Sequence, residues 1–286
     1  MIIVNRNADY SAVSIGHVDI PFEDSDASRL MAQYSKPISQ AHATAFAHLI
    51  ADLKTAVLKD YIQCMQIPFL AANGAEAYMD SWREKDSTFN ASTHLGFHLG
   101  KYGSYYVSEE LAPSPRPSCP YVATDIASGA VTLASLSYFK ESGGDPIATA
   151  GALWNSRGYL TGGSPNYNVT PGITIPTGKN ITITSISSGT TATAVPKIMH
   201  NGTASTKSYS SSQVEAAVTL DTSKMSVSCF DKGTLDLSTG FVSLKCQVAI
   251  AILFNKELSD TEKTALNTAL DAFSTAIYEN DITTIM

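Results

Sequence analysis

The best-equipped polar and aromatic stretch is Leu153-Trp154-Asn155-Ser156-Arg157-Gly158-Tyr159, with Asn166 and Tyr167 close behind it. An aromatic face can lie on the apolar side of a sugar ring while amides and a guanidinium bond its hydroxyls. Trp154, Asn155, Arg157, Tyr159, Asn166 and Tyr167 are therefore the candidate glycan-binding set. The competing assignment for Trp154, directly after Leu153, is a core position. Tyr102, Tyr105 and Tyr106 lie among Gly100 and Gly103. That cluster suits either a protein contact or a buried sheet edge.

Catalytic spacings are missing from the sequence. Glycan-cleaving β proteins need paired carboxylates facing one cleft, and no Glu-x-Asp-x-Glu run occurs; Glu279-Asn280-Asp281 comes nearest. The chain has no G-x-S-x-G elbow, no P-loop, no G-x-G-x-x-G and no H-E-x-x-H. The expectation is a protein without catalytic activity. His94 and His98 would share a face only on a helix. Gly96, Gly100 and Gly103 argue against one, and on a strand the two lie about 13 Å apart. Asp125, Asp145, Asp221, Asp231 and Asp236 could ligate calcium, but no D-x-D-x-D-G spacing supports it. No cofactor is expected beyond that calcium option.

The elements that would position these residues change along the chain. Residues 1–35 form a core-poor arm with a short helical piece near Ala27–Gln33. Over 39–66 the spacing predicts a helix. Phe46, Leu49, Ile50, Leu53, Val57, Tyr61 and Cys64 step by three or four, Ser39 caps the start and Pro68 ends the segment. Phe46, Leu49, Leu53 and Val57 are the candidate oligomer contacts, since this stripe can dock on its own chain or build a trimeric core. A weaker helix is expected at Gly74–Trp82. From about Thr88 to Asn255 short strands alternate with Gly, Pro, Asn and Asp, including Val131–Phe139, Asn180–Ile186 and a hairpin signal at Asn201-Gly202. Val248–Phe254 is apolar on both faces and reads as a central strand. Ser259-Asp260-Thr261-Glu262 is a capping box opening a last helix with Leu266, Leu270, Phe273 and Ile277 on one side.

Composition narrows the function classes. The 286 residues carry 26 acids against 19 bases, a net charge of −7, and only 16% charged residues. A basic nucleic-acid-binding surface is not expected. No apolar run approaches the roughly 20 residues that span a bilayer, so no membrane insertion is expected. The start lacks a basic region followed by an apolar stretch, so no signal peptide is expected. Four scattered Cys without C-x-x-C spacing read as buried thiols.

The block from Val248 to Glu262, followed by Leu266, Leu270 and Phe273, resembles the C-terminal signature of concanavalin A-like (laminin G-like) domains. Ile198-Met199-His200-Asn201-Gly202 is similar to their hairpin strand, and Leu136–Phe139 to an early sandwich strand. With the arm, the helix and Pro68-Phe69-Leu70 in front, the layout resembles tail and fibre proteins of Bacteroides-type bacteriophages. The resemblance implies a mainly β fold, a concanavalin A-like jelly-roll sandwich over 87–286 with a C-terminal helix. Residues 1–86 would be the attachment and oligomerisation region. It also implies a structural virion component, made in the host bacterial cytoplasm. Its partners would be other virion proteins, itself as a homotrimer, and a host surface glycan. The alternatives are a glycan-binding lectin and a glycan-degrading enzyme of the same fold.

Overall fold

The computed structural model describes residues 12–15, 18–21, 25–86, 97–106, 122–123, 130–139, 160–161, 177–187, 189–190, 197–206, 217–220, 224–225 and 246–278. Their main feature is an antiparallel sheet of eight strands. In chain order these are β1 (Ile62–Gln66), β2 (Phe97–Leu99), β3 (Ser104–Tyr106), β4 (Ala130–Phe139), β5 (Gly178–Ser187), β6 (Lys197–His200), β7 (Thr203–Thr206) and β8 (Cys246–Phe254). The spatial order is β7-β6-β5-β4-β8-β3-β2. β1 also pairs with β8, beside β3.

β8 is central, as its apolar run predicts: β4 pairs along one edge, with β1 and β3 on the other. Its residues from Val248 to Phe254 are all buried. At Asn201-Gly202 the backbone takes φ values of 46° and 80°. Both are left-handed, the requirement of the tight turn that Asn-Gly favours.

Four helices are described: α1 (Ser25–Met31), α2 (Gln40–Thr55), α3 (Gly74–Tyr78) and α4 (Asp260–Ile277). The Ser39 side chain accepts from the His42 amide at 3.2 Å, closing the start of α2. Ser259 and Glu262 cap α4 reciprocally, with the Ser259 amide donating to Glu262 Oε2 at 2.8 Å. α2 and α4 pack on one another. Phe273 meets Phe46 and Phe69 edge to face, with centroids 6.1 and 5.7 Å apart.

α2 ends nine residues short of Cys64, the last position of the expected stripe, at a left-handed closure. The Val57 amide donates to Lys54 O and the Leu58 amide to Leu53 O, both at 2.9 Å, with Val57 at φ 57°. Leu53 and Leu58 are buried across this turn. Tyr61 and Cys64 thus fall beyond the helix, Tyr61 in a short 3-10 turn and Cys64 in β1.

The stripe offered for oligomer contact is used differently. Phe46, Leu49 and Leu53 are buried within one chain, where α2 packs on α4, and of the four only Val57 is exposed, at 63%. The physical reason is the second apolar stripe on α4, which supplies the partner surface inside the same molecule. Residues from both sides of the expected 86/87 boundary therefore share one core.

The smaller ladders are Ala12–Ile15 with Val18–Pro21, Lys224–Met225 with Val122–Ala123, and a three-stranded set of Leu160–Thr161, Ala217–Leu220 and Gly189–Thr190. The protein is mostly antiparallel β with a few helices. That is a coarser result than the jelly roll expected.

Candidate functional site

Side-chain contacts fix which face of the sheet the helices cover. Tyr138 on β4 hydrogen-bonds Ser274 of α4, and Lys179 on β5 pairs with Asp271 of the same helix. Lys197 on β6 pairs with Glu257 just before α4. Thr132 Oγ1 accepts from the Leu258 amide at 2.9 Å. Side chains alternate along a strand, so the residues between these point to the opposite face.

That opposite face carries a row of small polar groups. Ser135 and Ser137 stand on β4, Asn180, Thr182 and Thr184 on β5, and His200 on β6. The register holds them side by side: Ser137 faces Asn180, Ser135 faces Thr182, and Thr182 faces His200. All six are buried. His200 Nε2 lies 2.7 Å from Asn180 Oδ1, and Asn180 Nδ2 donates to Gly178 O at 3.0 Å. Since the Asn180 amide nitrogen is committed to Gly178, its oxygen accepts and the His200 Nε2–H donates. The His200 Nδ1 is then an unprotonated acceptor. Burial holds the His200 pKa below its ordinary value, which keeps the ring neutral at pH 7.

Thr184 is 1% exposed, and its hydroxyl finds no hydrogen-bond partner among the described residues. A buried hydroxyl without a partner costs free energy, typically about 1–3 kcal/mol. The row ends at the β6–β7 hairpin, where Asn201, Gly202, Thr203 and Ala204 are exposed. Chemically it holds neutral donors and acceptors spaced along three strands.

The sequence-derived site residues fall elsewhere. Trp154, Asn155, Arg157, Tyr159, Asn166 and Tyr167 lie outside the described residues, as do the calcium candidates Asp125, Asp145, Asp221, Asp231 and Asp236, and His94. His98 is half-buried on β2. Tyr102 is buried against Tyr138 and Tyr278, which favours the buried-edge reading of that tyrosine. Cys64 is a free, buried thiol, its pKa pushed up by burial and the neighbouring Asp80 carboxylate. The polar row was missed, although a signal exists: Asn180-Ile181-Thr182-Ile183-Thr184 alternates strictly, and Ser135-Leu136-Ser137 repeats it on the paired strand.

No protein-family model matches the chain, and no curated protein matches it. Solved structures similar to it include Trypanosoma rangeli sialidase bound to 2,3-difluorosialic acid, at TM-score 0.39 and 12% identity over 82% of this chain and 40% of the sialidase. The binding domain of Paraclostridial mosquitocidal protein 1 aligns at TM-score 0.37 and 9% identity, over 73% of this chain and 52% of that one. The ligand-binding domain of botulinum neurotoxin serotype D, bound to N-acetylneuraminic acid, aligns at TM-score 0.37 and 12% identity over 74% and 52%. The chain thus spans about two-fifths of the sialidases and about half of the toxin domains. These neighbours correct one expectation. A protein without catalytic activity was inferred from missing motifs, yet the similar structures include sialidases. Local spacing does not reveal catalytic groups gathered from distant parts of a chain, and that expectation is dropped.

Proposed function

We propose that this chain binds a glycan. The observation that carries the reading is the polar and aromatic stretch Trp154, Asn155, Arg157 and Tyr159, followed by Asn166 and Tyr167, which offers aromatic faces for the apolar side of a sugar ring. Sugar hydroxyls both donate and accept, so they can pair with the amides of Asn155 and Asn166 and the guanidinium of Arg157.

We further propose that the protein works as a fibre-like component of a phage virion, attached through its N-terminal region. The support is the sequence resemblance of Val248–Phe273 and the order of arm, helix and sheet. A complete concanavalin A-like jelly roll is the architecture this reading requires. The homotrimer it implies must use surface other than the α2 stripe, because Phe46, Leu49 and Leu53 are buried within one chain.

A glycan array with the full chain tests the binding reading, and mass spectrometry of purified particles tests the virion reading. Retention of bacterial surface glycans and recovery of the chain in stoichiometric amounts are the expected results. An array without a single retained glycan removes the first reading, and particles lacking the chain remove the second.

A further inference from the structure

The chain contains two Asn-Gly pairs, Asn73-Gly74 and Asn201-Gly202. This pairing favours deamidation, because glycine has no Cβ to hinder its own amide nitrogen. That nitrogen attacks Asn Cγ and forms the N–Cγ bond of a five-membered succinimide. The Cγ–Nδ2 bond breaks, and ammonia leaves with the proton of the glycine amide. Water then opens the ring at either carbonyl, giving aspartate or isoaspartate with no change in oxidation state. We infer that Asn201 is a deamidation site held shut by the β6–β7 hairpin, and that it is the first of the two pairs to react in the native chain.

Two features of the hairpin hold it shut. The Asn201 amide donates to Ile181 O at 2.9 Å, and Asn201 Oδ1 accepts from the Ile181 amide at 2.8 Å, so the carboxamide is built into the end of the β5–β6 ladder. Ring closure also needs the Gly202 nitrogen on the same side of the Cα–C bond as Asn201 Cβ. Asn201 is left-handed, at φ 46°, and in that region ψ is about +47°, which turns the next nitrogen away from Cβ. Opening the hairpin releases both constraints. It is easier to open than the surroundings of Asn73. Asn201, Gly202, Thr203 and Ala204 are exposed, so water reaches the pair, and β7 stands last in the described strand order. Asn201 Nδ2 reaches Lys179 O at a long 3.5 Å. Gly74, by contrast, is buried. Asn73 caps α3 with its carboxamide held at both ends: Oδ1 accepts from the Glu76 amide at 3.0 Å and Nδ2 donates to Glu76 Oε1 at 2.9 Å. Aspartate at 201 would keep an oxygen for the Ile181 amide. Isoaspartate lengthens the main chain by one carbon, which a two-residue turn does not accommodate.

Peptide mapping by mass spectrometry tests this, with the full chain held at one mildly alkaline pH in buffer and in concentrated guanidinium chloride. In denaturant the two pairs should react at similar rates, since the glycine that follows is the same. In buffer Asn201 should react at least about tenfold more slowly than in denaturant, because only the opened hairpin reacts, yet still ahead of Asn73. Thr203→Pro removes a backbone amide from β7 and should bring the Asn201 rate towards its denatured value while Asn73 stays slow. An Asn201 rate in buffer equal to that in denaturant overturns the inference, because the hairpin then protects nothing. Asn73 reacting first in buffer, or neither pair reacting there, overturns it as well. So does an unchanged Asn201 rate in a Thr203→Pro protein with native circular dichroism. If that variant unfolds, seen as a fast Asn73, the comparison of buffer with denaturant decides.

Discussion

At Val57 a β-branched side chain sits at φ 57°, 63% exposed, in the position where a helix closure favours glycine. The left-handed conformation costs an L-residue roughly 1–2 kcal/mol, part of which glycine returns through its freer unfolded chain. Val57→Gly should therefore raise stability by about 0.5–1 kcal/mol, read as a higher denaturant midpoint at unchanged slope. A lower midpoint would mean the valine side chain makes contacts that outweigh the strain. Phe273 is the opposite case. It is buried between Phe46 and Phe69, and Phe273→Ala should cost about 3–5 kcal/mol, which chemical denaturation measures directly. Phe273 and the Ser259 cap were legible in the sequence because both depend on neighbours within one or two turns. Val57 was not: the apolar step of three and four runs through it without a break, and nothing in that spacing reports a backbone reversal.

Among the elements, α2 and β1 show where local pattern stops being informative. Tyr61 and Cys64 continue the helical step, yet Ile62–Gln66 pairs with β8 as a strand. The long-range partner decided the outcome, and period alone does not contain it. The polar row failed to be recognised for a related reason. Strict alternation such as that of Asn180–Thr184 ordinarily means one face in the core and one in water, whereas here both faces are buried. α1 offers a test of how short elements are held. Its Asp26 carboxylate lies 3.1 Å from Lys54 Nζ and 2.5 Å from Lys59 Nζ, at the end of α2 and just beyond. Burial alone would raise the Asp26 pKa, but hydrogen bonds and charge from Lys59 and Lys54 outweigh it and hold it below the ordinary value. A depressed folded-state pKa contributes stability above the unfolded value, lost as pH falls through the folded one. Stability should therefore drop as acid is taken below about pH 4, and Asp26→Asn should flatten that part of the profile while lowering stability at pH 7. A pH profile identical in the variant would show that other carboxylates govern the acid limb.

For the whole molecule, the sequence pointed to a mainly β protein closed by an amphipathic helix, and the structure agrees at that level. It did not show that the N-terminal region belongs to the same core. β1 covers part of the second edge of β8, Phe46 and Phe69 enclose Phe273, and Lys36 Nζ donates to Phe69 O at 2.9 Å, tying the segment before α2 to the same corner. Residues 62–66 and 246–254 come from far apart in the chain, so only the folded sheet brings them together. Removing residues 1–86 would strip β8 of β1, uncover Phe273 and the apolar stripe of α4, and leave an open strand edge beside exposed apolar surface. The fragment 87–286 should therefore not fold as an independent unit. It should collect in aggregates or give a compact state that retains far-ultraviolet but loses near-ultraviolet circular dichroism. The full chain should unfold cooperatively in one step. A soluble 87–286 fragment with native near-ultraviolet signal and a sharp transition would show that the sheet closes without β1 and α2. The N-terminal region would then be an appendage rather than half of the core.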